Sequence, residues 1–334
     1  MTNVVICLML ALAAAAQQSS GADRVVPRSQ PAVIWRAPAK IGMENWTCGA
    51  AGCDFAPAPP FQFVKEDLEG TFPKVTVKDA KGRTWSVKFG GKVIPQSFSS
   101  RFVSAVGYLV EPSYFVASGR LEGQFHLHRA RGFVQPEGIF RRASFELRDP
   151  KYLEFLKDSA WSLADNPFRG THEYAGLRVL MMLLSNWDAK DVREGEEAAN
   201  TAVFRVPGAQ PPLEYSFFDW GSTLGRWGGL MQRTRSDCSG YTAETPRLIA
   251  AVHGNVIEWG YSGKHDQDVR SGITVNDLRW LAPYLARITD VQIRAGLKSS
   301  GATGRQTACW ASAIESRIRE IQTVAQTGKA PTGR

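Results

Sequence analysis

The chain has 334 residues, 43% of them apolar, with 10 Trp and a formal net charge of +8 at pH 7. That composition excludes a disordered chain, and the length suits one large domain or two modest ones. The positive balance fits an acidic or phosphate-rich partner as well as simple solubility, while no Lys/Arg run with interleaved aromatics points to nucleic acid.

An unbroken apolar run, Val4 to Ala16, opens the chain and is followed by polar QQSSGADR. The run is too short to span a bilayer comfortably, and Ala14-Ala15-Ala16 offers a cleavage site. Residues 1–22 therefore read as a signal peptide, and the protein as exported, periplasmic or extracellular. No membrane span is expected once the signal is removed. Cys48, Cys53, Cys238 and Cys309 then remain. Export permits disulfides, with the short Cys48–Cys53 spacing leaving the other two for each other; a Cys₄ zinc site is the alternative.

Residues 23–64 are rich in Ser, Ala, Pro and Gly and read as an irregular N-terminal extension. Asn45-Trp46-Thr47 is a glycosylation sequon. From Phe72, KVTVKD and TWSVKFG flank the turn AKGR and predict a β-hairpin. In its second strand Lys88 falls on the face opposite Trp85 and Val87. Phe98, Phe102, Val103 and Val106 then give helical spacing, with Gly107 as a stop. Tyr114 to Asp149 alternates strands and turns. His126 and His128 sit at strand spacing there, a metal pair or a cationic strand face, and Arg141 and Arg142 follow as a solvated or phosphate-meeting pair.

Tyr152 to Ala164 is expected to be a helix. Thr171 is a candidate N-cap for a helix over Glu173 to Leu184, with Leu177, Leu180, Met181 and Leu184 as its buried stripe. That helix delivers Asn186-Trp187-Asp188, with Lys190 two residues on. Residues 201–206 and 213–218 read as two strands, the second ending at Asp219-Trp220-Gly221. A carboxylate at the mouth of an apolar element needs solvent, a partner or a metal, and two of them flank one loop here. The Gly- and polar-rich stretch after Gly225 reads as an exposed loop. Leu248 to Trp259 reads as a strand pair, and Thr274–Ala286, Asp290–Leu297 and Ala308–Ala325 as helices before a fraying tail, 326–334.

NWDAK followed by FDWG resembles the catalytic and metal-binding loops of atypical kinase-like proteins, the phosphoinositide-kinase-like, HipA-like and CotH-type families. A similar arrangement occurs in uncharacterised bacterial exported proteins. The resemblance implies an α+β, two-lobed protein-kinase-like fold, with a sheet-rich N-terminal lobe over 65–165 and a mainly helical C-terminal lobe over 166–325. It implies magnesium and ATP between the lobes and an unidentified, anionic acceptor. Asp188 and Lys190 would then be catalytic, Lys88 and Gln96 would meet the cofactor, and Asp219 and Asn200 would hold the metal. Two positions depart from the pattern. Gln96 stands where the family's helix carries the Glu that pairs with the strand Lys, and Arg193 stands near the expected magnesium-binding Asn, leaving that role to Asn200. The alternative expectation is accordingly a catalytically impaired, kinase-like binding protein for an anionic ligand or cell-envelope partner.

Overall fold

The computed structural model describes residues 30–70, 72–195, 199–229 and 231–331, so the expected signal segment lies outside the described residues. Alternating apolar residues build the first unit, a closed five-stranded barrel. Its strands are β2 (Phe61–Asp67), β3 (Lys74–Lys78), β4 (Thr84–Phe89), β5 (Ser113–Glu122) and β6 (Ile139–Leu147), following a two-residue β1 (Ala32–Val33). They close in the order β2-β3-β4-β6-β5, antiparallel except where β2 meets β5. Val75, Val77, Trp85, Val87, Phe89 and Phe145 point inward and are fully buried. The period of two then sends Lys74, Thr76, Ser86, Lys88, Ser144 and Glu146 to the outer face.

Between β4 and β5 runs α1 (Val93–Ala105), which ends before Gly107 at φ +99. A Cβ at Gly107 would lie 2.2 Å from the Arg36 carbonyl oxygen, so both the turn and the close approach require glycine there. A second sheet has the order β1-β9-β8-β7, from β7 (Glu154–Phe155), β8 (Thr201–Arg205) and β9 (Leu213–Phe217). The remainder is helical: α2 (His172–Leu183), α3 (Cys238–Glu244), α4 (Asp266–Arg270), α5 (Val275–Leu285), α6 (Asp290–Ser299) and α7 (Gly304–Thr327). A hairpin of β10 (Ile249–His253) and β11 (Val256–Trp259) lies among them. The chain is thus mixed α+β, with a sheet-rich part and a helical part. Among the described residues, no helix is long and apolar enough to cross a membrane.

Thr171 caps α2 as expected, accepting from the Tyr174 amide. Thr274, Thr289 and Thr303 each form a full capping box, which fixes the starts of α5, α6 and α7. The cysteines pair as Cys48–Cys53 and Cys238–Cys309, with Cα separations of 5.1 and 6.2 Å.

Several expectations need correction. Residues 152–164 form no helix. Trp161 Nε1 donates to the Ala202 and Ser216 carbonyls, and Leu156 N donates to the Val203 carbonyl, so bonds to β8 and β9 replace those of a helix. His126 and His128 lie in a loop and not on a strand. Glu66 accepts from the amides of His128, Arg129 and Ala130 and fixes that loop. Among the described residues no cluster of three or more His, Cys, Asp or Glu could hold a metal. Arg142 bonds the Gly301 carbonyl and faces Phe115 rather than the candidate cleft. The extension contributes to the core through Ile34, Ile41 and Trp46, and its last residues already begin β2. The stretch after Gly225 is not all loop, since it contains α3.

Candidate functional site

Two loops and a barrel face form a cleft of about 660 Å³. One loop leaves α2. Arg317 of α7, 3% exposed, donates to the Met182 and Leu183 carbonyls and to Ser185 Oγ, so a buried cation closes the carboxyl end of that helix. Ser185 then takes φ +52 and the chain turns toward Asp188. The other loop leaves β9 and carries Asp219.

Asn186 ties the two loops together. Its side chain donates to the Asp219 carbonyl at 3.2 Å and accepts from the Asp188 amide at 3.4 Å. Trp187 N donates to the Ser222 carbonyl and Leu224 N to the Leu184 carbonyl. Asn200 adds a third tie, with Nδ2 donating to the Asp188 carbonyl at 3.1 Å and its carbonyl accepting from Phe218 N at 2.9 Å.

Lys88, Asp188, Lys190, Asn200 and Asp219 all line this cleft. Gln96 does not. It is fully buried in α1 and donates to Ser100 Oγ and, at 3.4 Å, to the Phe218 carbonyl. Its expected place beside Lys88 is taken by Glu146 of β6, 2.8 Å from Lys88 Nζ. In the β4–β6 register Lys88 faces Ser144 and Ser86 faces Glu146, so the pair is a diagonal cross-strand contact on the outer face. Glu146 also meets Arg148 at 3.4 Å, and Arg148 pairs with the buried Glu111. Arg193 turns away from the cleft to Asp191 and Asp268.

Sequence reasoning missed five cleft cations, Lys65, Lys74, Lys92, Arg148 and Arg235. Lys92 Nζ donates to Asp219 Oδ2 at 2.5 Å. Burial favours a neutral Asp219, but the Lys92 and Lys88 charges outweigh it and hold the carboxyl well below the usual carboxylate range. Arg235 lies over the faces of Trp187 and Phe72, 4.3 and 4.7 Å from the ring centroids, and donates to Ser222 Oγ. Burial draws its pKa down to about 10, against the attraction of Asp188 and Asp219. The only hint of Lys92 in the sequence is its place just after the Gly90-Gly91 turn; nothing local marks Arg235.

No family model matches the chain, and no curated protein matches it. Among solved structures, the Helicobacter pylori proinflammatory kinase CtkA aligns with 81% of this chain and 98% of its own. The TM-score is 0.45 and the identity 14%, a likeness too loose to carry weight, so the site is read from its own residues.

Magnesium can be tested against the donors present. It is usually held by one or two carboxylates plus substrate phosphates and waters, in octahedral geometry. Asp219 is the carboxylate expected for it, but Oδ2 accepts from Lys92 and Oδ1 accepts from Gly221 N at 2.9 Å. The Lys92 ammonium occupies Oδ2 and its stem fills the space beside Gly221, so these residues do not fit a resident metal at Asp219.

Proposed function

We propose that this cleft binds a phosphate-rich ligand, a nucleoside triphosphate in the first instance, in an exported, two-lobed kinase-like protein that acts chiefly as a binding protein. The supporting observation is the meeting of Lys88, Lys92, Arg148 and Arg235 around one cleft. Fixed cations at such a place favour phosphate oxygens, and a guanidinium held on two aromatic faces presents its donors without further loss of freedom. Phe72 lines the same cleft. The two disulfides are compatible with export.

Phosphoryl transfer to an unidentified acceptor is the second reading. It is favoured by Asp188 and Asn200, which line the same cleft, with Lys190 4.0 Å from the Asp188 carboxylate. Calorimetric titration with ATP, pyrophosphate and adenosine tests the binding reading. ATP and pyrophosphate should bind and adenosine should bind far more weakly. Lys88→Ala should weaken ATP by about 1.5–3 kcal/mol, the worth of one charge-assisted hydrogen bond. Equal binding of adenosine and ATP, or no binding of either phosphate compound, would rule it out. Transfer of labelled phosphate from ATP that disappears in Asp188→Ala would favour the second reading.

A further inference from the structure

The pair at Asp219 carries a consequence for how the cleft meets its ligand, granted the binding reading above. We infer that Lys92 takes the place of a divalent metal on Asp219, so that the cleft binds its phosphorylated ligand without metal.

The contact is built into the backbone. Lys92 ends a 3-10 turn, Gly90–Lys92, and leads directly into α1. Its side chain is 9% exposed and that of Asp219 is 14% exposed. The stem of Lys92 crosses Gly221, where a Cβ would stand 2.6 Å from Lys92 Cδ and 2.9 Å from Cγ. Gly221 therefore makes room for the lysine stem, and the Asp-x-Gly sequence is accounted for by Lys92. The second carboxylate oxygen is fixed by the Gly221 amide of the same turn. The ammonium also sits 5.0 Å from the centroid of Phe72.

A metal arriving at Asp219 meets two obstacles. It must expel an ammonium whose stem fills the space beside Gly221, or else share the carboxylate with it. Sharing places a divalent charge beside the Lys92 ammonium, in a cleft that Lys88 and Arg235 also line. Two other cleft acids stand near cations: Asp67 pairs with Lys74 at 2.9 Å, and Lys190 lies 4.0 Å from Asp188. Arg235, by contrast, has no carboxylate at ion-pair distance among the described residues. The positive charge that a metal would bring to a phosphate chain is thus supplied by side chains.

The test titrates the purified full chain with ATP by calorimetry, in EDTA and in magnesium, and titrates Mn²⁺ alone by electron paramagnetic resonance. ATP affinities should agree within about twofold between the two buffers. Wild-type protein should show no Mn²⁺ site that Asp219→Asn removes. Lys92→Met keeps most of the stem and drops the charge, and it should create a Mn²⁺ site that Asp219→Asn in the same chain abolishes. ATP binding seen only with magnesium overturns the inference and leaves the binding reading standing. A wild-type Mn²⁺ site at Asp219 overturns it as well. Absence of ATP binding in both buffers overturns the binding reading, and the Mn²⁺ titrations still decide whether Lys92 excludes a metal.

Discussion

Asp79 shows how one carboxylate can set a local structure. It lies at the β3–β4 turn, 5% exposed, and accepts from the amides of Lys81 and Arg83 and from the Arg83 guanidinium. Burial raises its pKa, but the Arg83 hydrogen bonds outweigh burial and the net shift is downward. A carboxyl depressed on folding contributes stability that is present above its unfolded value and lost as pH falls through the lower folded value. Asp79→Asn should therefore cost about 1–3 kcal/mol at pH 7. The gap to wild type should close as pH drops below the ordinary value of 3.8. Urea denaturation of both proteins at pH 7 and in the acid range checks this, and a gap independent of pH would show that charge plays no part. The hairpin that this turn closes is the one that aims Lys88 at the cleft, so the effect extends to the site.

At the level of elements, α2 supports the site from behind. Tyr174, Leu177, Leu180 and Met181 of α2 and the following Leu184 are buried in the main core, and the loop with Asp188 starts where the helix ends. Leu180→Ala should cost about 2–5 kcal/mol, whereas Val291→Ala on α6, 75% exposed, should stay within about 0.5 kcal/mol. Chemical denaturation measures both, and equal effects would mean that burial does not govern them. This helix was legible in the sequence because its buried stripe and its Thr171 cap are both local patterns. The β4 alternation was legible for the same reason, and it gave the side on which Lys88 lies. Asp188 and Asp219 stood out because each closes an apolar run. Contacts fixed only by tertiary pairing were not legible. Glu146 becomes the partner of Lys88 through the β4–β6 register, and no spacing within either strand reveals that register. Residues 152–164 have helical composition, yet their partners on β8 and β9 decide their shape.

For the molecule as a whole, the two disulfides do different work. Cys48–Cys53 closes a loop with a sequence separation of 5, whereas Cys238–Cys309 ties α3 to α7 across a separation of 71. Chain-entropy reasoning makes the longer closure worth about 4 kcal/mol and the shorter about 2 kcal/mol. The longer tie also bears on the cleft. Asp237 caps α3, and its amide donates to the Leu224 carbonyl, so the segment carrying Arg235 is held between the β9 loop and a helix anchored to α7. Replacing Cys238 and Cys309 together by Ala should therefore lower stability by about twice as much as replacing Cys48 and Cys53. It should also weaken binding of pyrophosphate, since Arg235 would lose part of its support, while the Cys48/Cys53 variant should bind as wild type does. Denaturation and calorimetry on the two double variants separate these effects. Equal losses of stability would show that loop length is not what matters, and unchanged pyrophosphate affinity in the Cys238/Cys309 variant would show that Trp187, Phe72 and Ser222 hold Arg235 without the tie.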